Sequence, residues 1–218
     1  MLFVLRHGER CDLVTDPAEN ARVTVTCDSP LTANGLLMAE RTGVKIRELL
    51  QGDVANIRII SSPFARCLET SQKIAASFPA VDRIYVDYQV CEFLNSQWYE
   101  VDPFEGLMIL HSPAYQATMT LPLEFLPAAR PPFPEVWNDM IRRYTSHAAD
   151  TQASVRLQST KTIVVTHGYY EDTFCAQYGD YPEYADFCAL SYTVCDGEAA
   201  RLVLAKSCDH VCDLYRGR

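Results

Sequence analysis

The chain has no hydrophobic run approaching the roughly 20 residues that a bilayer-spanning helix needs, no excess of basic residues, no internal repeat and no low-complexity tract. The first absence excludes a membrane-embedded helix. The second, expressed as a net charge of −9, excludes the basic stripe that nucleic-acid binding relies on, and attraction to anionic membranes. Any phosphate must therefore be gripped by locally clustered arginines. A strand expected to begin at Leu2 leaves no room for a signal peptide. The nine cysteines are odd in number and irregularly spaced, which is no disulfide framework. They point to reduced thiols in the cytoplasm, with the nucleus also admitted. Cys208-Asp209-His210-Val211-Cys212 offers metal ligands, yet no second cluster completes a tetrahedron, so no zinc is expected.

What is present suits one α/β unit over 1–218: 48% of residues are hydrophobic, enough for a substantial core. Leu2-Phe3-Val4-Leu5 reads as a buried strand that stops at Arg6-His7-Gly8-Glu9-Arg10, and ligands of open α/β sheets collect beyond such strand ends. Leu36, Ala39, Gly43, Ile46 and Leu50 recur at helical spacing, with Gly43 expected to let that helix approach the sheet. Ile57-Arg58-Ile59-Ile60 is a second strand, and Ser61-Ser62-Pro63 predicts a helix capped by Ser62 with Pro63 at its first position. Its first turn carries Arg66, whose charge adds to the positive end of the helix dipole.

Ile84-Tyr85-Val86 is a third strand and leads to Glu92. From about 95 to 134 periodicity is lost while aromatics and prolines accumulate, which predicts an inserted cap, its aromatics packing within the insertion. Trp137, Met140, Ile141, Tyr144 and Ala148 predict a returning helix, and Thr162 to Thr166 a second buried strand that stops at His167-Gly168. Ala189 to Val194 and Arg201 to Ala205 predict a hairpin turned at Asp196-Gly197.

Three crevice loops thus supply Arg6, His7, Arg10, Arg66 and His167. Arginine forks pair with phosphate oxygens, and a neutral imidazole attacks phosphorus to give a phosphohistidine. An acid must protonate the departing oxygen, and Glu92 is the candidate, with Glu9, Asp87, Glu100, Glu171 and Asp172 as competitors. Cys195 to Arg201 and Cys212 to Arg218 match the Cys-x5-Arg spacing of cysteine-dependent phosphatases. The first sets Asp196 and Glu198 beside the anion on a hairpin, and the second has no following helix.

Arg6-His7-Gly8-Glu9-Arg10, Asp28-Ser29-Pro30-Leu31-Thr32 ahead of Gly35, Ser61-Ser62-Pro63 with Arg66 and Thr70, and Val165-Thr166-His167-Gly168 together resemble the histidine phosphatase, or phosphoglycerate mutase-like, superfamily. The resemblance implies a three-layer α/β/α sandwich with a mostly parallel sheet and an inserted cap, and a phosphomonoester hydrolase that needs neither metal nor cofactor. It implies His7 as nucleophile, Arg6, Arg66 and His167, with Gly168, as the phosphate pocket, and Glu92 as proton donor. Arg10 resembles the extra phosphate-binding arginine of the branch with the suppressor-of-T-cell-signalling and steroid-phosphate phosphatases. Leu13 stands where mutases carry asparagine. Tyr169 replaces a second glycine and is expected to narrow the pocket, and Glu69 replaces a common glutamine. Expected substrates are phosphorylated small molecules or phosphoproteins, with phosphotyrosine or another aromatic or apolar ester suggested by the cap. Two alternatives stay open: a phosphate-binding or assembly module whose catalysis has lapsed, and a phosphoglycerate mutase-type phosphotransferase. A homodimer is also admitted.

Overall fold

The computed structural model describes residues 1–196 and 199–215. Its strands are β1 (Leu2–Arg6), β2 (Ile57–Ser61), β3 (Ile84–Val86), β4 (Leu123–Phe125), β5 (Lys161–Thr166), β6 (Leu190–Asp196) and β7 (Ala199–Ser207). The helices are α1 (Pro17–Asn20), α2 (Ala33–Leu49), α3 (Ala65–Ala75), α4 (Met108–His111), α5 (Pro113–Gln116), α6 (Trp137–Gln158) and α7 (Gly168–Ala176). One sheet runs in the order β4-β3-β2-β5-β1-β6-β7. The first five strands are parallel, while β6 and β7 form an antiparallel edge.

Period-two alternation divides each central strand between two cores. Phe3, Leu5, Ile59, Ile163 and Val165 face α2 and α3, packing on Ile46, Leu50, Cys67 and Ile74. Leu2, Val4, Ile60 and Val164 face α6 and α7, packing on Met140, Tyr144, Ala148 and Phe174. Burial on both faces is why these strands read as unbroken apolar runs. The result is the three-layer α/β/α arrangement. Among the described residues no helix is long and apolar enough to cross a membrane, and all nine cysteines are free.

Several expectations need correction. Helix α3 begins at Ala65 with Phe64 at its N-cap, not at Pro63 behind Ser62. The Ser62 N–H continues the strand ladder to the Val165 carbonyl at 3.0 Å, its hydroxyl is used elsewhere, and Asp28 Oδ1 accepts the Ala65 N–H at 2.7 Å instead. Gly43 brings α2 close to α3 rather than to the sheet, since a Cβ there would lie 3.1 Å from the Ile74 backbone. Helix α7 was not expected. Gly168, Tyr170, Glu171, Thr173, Phe174 and Cys175 are all buried, so it lacks the polar face that makes a surface helix legible. Residues 95–134 add an unexpected edge strand, β4, beside β3. Of the turn expected at Asp196-Gly197, Asp196 ends β6 opposite Ala199, and Gly197 lies outside the described residues.

Candidate active site

Strands β1 and β5 are in parallel register, with Arg6 opposite Thr166. Both therefore end at one level, and the residues that follow, His7 and His167, are side by side. Their ring centroids are 5.4 Å apart in an edge-on arrangement. The His7 N–H donates to the Thr166 carbonyl at 3.0 Å, which locks the two strand ends together.

The ring partners assign the tautomers. His7 Nδ1 is 2.8 Å from the Gly8 carbonyl, an acceptor only, so it carries the proton and Nε2 holds the lone pair. Burial, with Arg66, Arg6, His167 and Arg10 adding to it, holds the His7 pKa well below its ordinary value. His167 Nε2 accepts from the Ser62 hydroxyl at 2.8 Å, and its Nδ1 donates to Glu92 Oε2 at 3.1 Å. Burial pushes His167 down to about 4 against the pull of the Glu92 carboxylate, and Arg66 lowers it further. Both rings are neutral at physiological pH.

Arg66 comes from the first turn of α3 and is wholly buried. Its Nη2 is 3.5 Å from Glu92 Oε2, and its guanidinium carbon lies 4.4 Å from the centre of the Phe64 ring. Nε and Nη1 have no hydrogen-bond partner among the described residues. A buried cation with two unused donors costs several kcal/mol unless an anion meets it, on the order of the charge-burial penalties of protein interiors. Burial opposes the charge on Glu92, but His167, Arg66 and the Phe93 N–H hold it well below the carboxylate range.

Helix α6 fixes the backbone that carries Glu92. Arg143 forks onto Glu135 at 2.8 and 2.6 Å and donates to the carbonyls of Gln89 and Cys91, while the Tyr144 hydroxyl donates to Cys91 at 2.8 Å. The loop at Gly8 is fixed by α2. A Cβ on Gly8 would lie 2.5 Å from the Gly35 carbonyl oxygen, so only glycine permits this approach.

A cleft of about 790 Å³ opens over this cluster, with Arg6, Arg10 and Glu92 among its walls. Below it His7 is 1% exposed and His167 and Arg66 are at zero. Arg6 donates to the Ala185 carbonyl at 2.9 Å and lies over the rings of Phe187 and Tyr184 at 4.4 and 5.1 Å. Arg10 forks onto Asp12 through Nε at 2.9 Å and through Nη2, so its charge is shared with a neighbour. Gly168 begins α7, and the Tyr184 ring and hydroxyl lie where a side chain would project.

The aromatic expectations divide. Phe104 and Tyr115 pack against Phe64 and Leu68, but Trp98 and Tyr99 line the cleft rather than packing only within the insertion. Tyr169 is not among the cleft walls. It stacks on Trp98 with ring centroids 5.6 Å apart and so braces that wall from behind.

Sequence reasoning missed the supporting residues: Ser62 on His167, Thr70 accepting the Gly8 N–H, Glu171 accepting the Arg6 N–H, and Asp28 joining Ala65 to Met108. Ser62, Thr70 and Asp28 were visible inside the motifs, but their partners lie far off in sequence. Glu92, ranked against other carboxylates by sequence, is the one in contact with Arg66 and His167. His7, Glu92 and His167 also bring three ligand atoms within 4.8 Å of one another. A fixed guanidinium 3.5 Å from that carboxylate disfavours a metal dication there and favours an anion.

A family model described as Histidine phosphatase superfamily (branch 1) matches residues 2–204. No curated protein matches the chain. Among solved structures it is similar to an ecdysone phosphate phosphatase from Bombyx mori, at 19% identity and a TM-score of 0.62, covering 94% of this chain and 92% of that one. A phosphoglycerate mutase from Bacillus anthracis is similar at 16% identity and a TM-score of 0.59, covering 98% and 95%. A phosphoserine phosphatase from Entamoeba histolytica follows at 16% and 0.55, covering 96% and 98%. At these identities the likeness is one of fold.

Proposed function

The chain belongs to the histidine phosphatase superfamily, and from that premise we propose that it hydrolyses phosphomonoesters through a phosphohistidine on His7. The observation that carries the reading is the buried Arg66 with two unpartnered donors, set beside a neutral imidazole whose Nε2 is free. An anion completes the first, and an electrophilic phosphorus meets the second.

The phosphoryl group descends from the cleft between Arg6 and Glu92, and its oxygens take up Arg66 Nε and Nη1 by charge-assisted bonds. A dianion beside Glu92 reverses the electrostatics that keep this carboxylate ionised, so the carboxylate gains a proton as the substrate binds. The Nε2 lone pair of His7 attacks phosphorus. A P–N bond forms, the P–O bond to the leaving group breaks, and the departing oxygen takes the proton from Glu92. Water then attacks phosphorus and gives a proton to the Glu92 carboxylate, the P–N bond breaks, and its electron pair returns to His7. Inorganic phosphate leaves. His167, kept neutral and oriented by Ser62, donates through Nδ1 to whichever oxygen occupies the place of Glu92 Oε2.

The test is phosphate release from para-nitrophenyl phosphate by the wild-type and His7→Ala proteins, with a metal chelator present. Turnover by the wild type alone supports the reading. Equal turnover by both defeats it.

A further inference from the structure

The outer half of the cleft has a charge opposite to that of its floor. Its walls include Asp12, Glu100 and Glu105 together with Trp98, Tyr99 and Tyr184. Among the described residues Arg10 is the one cation of the outer walls, and it is already forked onto Asp12. Among the described residues Glu100 and Glu105 have no ion-pair partner. Trp98 and Tyr184 are each about half exposed, at 50% and 53%, and present ring surface to the opening. The deep end, with Arg66 and Arg6, takes a dianion, while the mouth offers carboxylates and aromatic faces.

Resting on the phosphatase reading above, we propose that this polarity sets the substrate class: aryl phosphomonoesters whose leaving group carries a positive charge on the side away from the phosphate. The phosphate reaches Arg66, the aromatic part of the leaving group lies against Trp98, Tyr99 and Tyr184, and its cation comes to Glu100 and Glu105. A cation near ring faces gains further from their quadrupoles. A leaving group with a second phosphate or a carboxylate meets two uncompensated like charges at the mouth and is disfavoured. Glu100 and Glu105 are thus specificity determinants and take no part in bond making.

The experiment compares kcat/KM for three esters of one ring type: tyramine O-phosphate, para-ethylphenyl phosphate, and the O-phosphate of hydroxyphenylpropanoate. In the wild type the cationic ester should lead and the anionic one trail, with a span of about tenfold, as expected for two exposed carboxylates acting together. High salt should compress that span. In the Glu100→Lys, Glu105→Lys double variant the order should invert. Equal values for the three esters in the wild type, or an order unchanged by the double variant, overturns the proposal while His7-dependent turnover leaves the phosphatase reading standing. No His7-dependent release from any of them overturns the underlying reading itself.

Discussion

Replacing Glu92 by Gln separates two jobs that the proposed mechanism gives to one carboxylate. The backbone of this residue is held from α6 by Arg143 and Tyr144, so the amide should occupy the same place and still accept from His167 Nδ1. The charge, the proton and the acceptor of the Phe93 N–H are lost. Losing the acid should slow esters of poor leaving groups, such as alkyl phosphates, by about 10²–10⁴, or about 3–5 kcal/mol of barrier. Para-nitrophenolate leaves without a proton, so its ester should lose less than about tenfold. Anion binding should move the other way. A unit charge about 4 Å from the carboxylate is worth about 4 kcal/mol at an effective dielectric constant near 20, and the wild type relieves this repulsion by taking up a proton. Tungstate should therefore bind the variant at least as tightly as the wild type. Calorimetry in buffers of different ionisation enthalpy should find about one proton taken up by the wild type and almost none by the variant, the ratio expected if Glu92 is the group whose pKa the dianion raises. Equal losses for both leaving groups, or unchanged proton uptake, would assign the acid to His167 or another group and refute the reasoning.

Arg66→Lys keeps the charge but replaces a fork with a single ammonium, so kcat/KM should fall about 10- to 100-fold, the worth of one or two charge-assisted bonds, and a change below twofold in steady-state assays would remove Arg66 from the phosphate pocket. Burial lowers the pKa values of His7 and His167 in the ligand-free protein, so neutral imidazole persists as pH falls, and kcat/KM, which reports the free enzyme, should, once corrected for ionisation of the substrate, hold below the ordinary imidazole range and decline only as His167 gains a proton at about 4. An unshifted imidazole would lose about 30-fold by about pH 5, and an acid limb of that form in the pH profile would contradict the burial argument. Gly35→Ala would put a Cβ 2.3 Å from the Glu9 carbonyl oxygen, forcing α2 away from the Gly8 loop. Thermal unfolding should show a loss of about 1–3 kcal/mol, and an unchanged Tm would show that this contact is not tight.

The parts of this molecule that sequence reveals are those where one physical constraint dominates a short stretch. Leu2 to Leu5 and Thr162 to Val165 are buried on both faces, so their apolar runs and the polar residues that end them stood out, and with them His7 and His167. Arg66 was legible through the helix start beside it. The pairing of Glu92 with Arg66 and His167 was not, because it depends on β3, α3, α6 and β5 arriving together, and several other carboxylates follow strands or open helices. Ser62 was read locally as a cap, whereas a distant histidine takes its hydroxyl and a distant aspartate, Asp28, takes over the helix N–H. Helix α7 escaped because burial on nearly every side erased its period. Residues 95–134 escaped in detail because single-turn helices and a three-residue strand carry too few repeats for any period to show.

The most direct test of the account is to quench a single turnover under conditions that preserve phosphoramidates and to map the phosphoryl group by peptide mass spectrometry. The account predicts a labile phosphate on His7, formed at a rate consistent with turnover, absent from the His7→Ala protein and accumulating when the attack of water is slowed. Full turnover with the phosphoryl group never found on His7, or found on His167 or a cysteine instead, would contradict it.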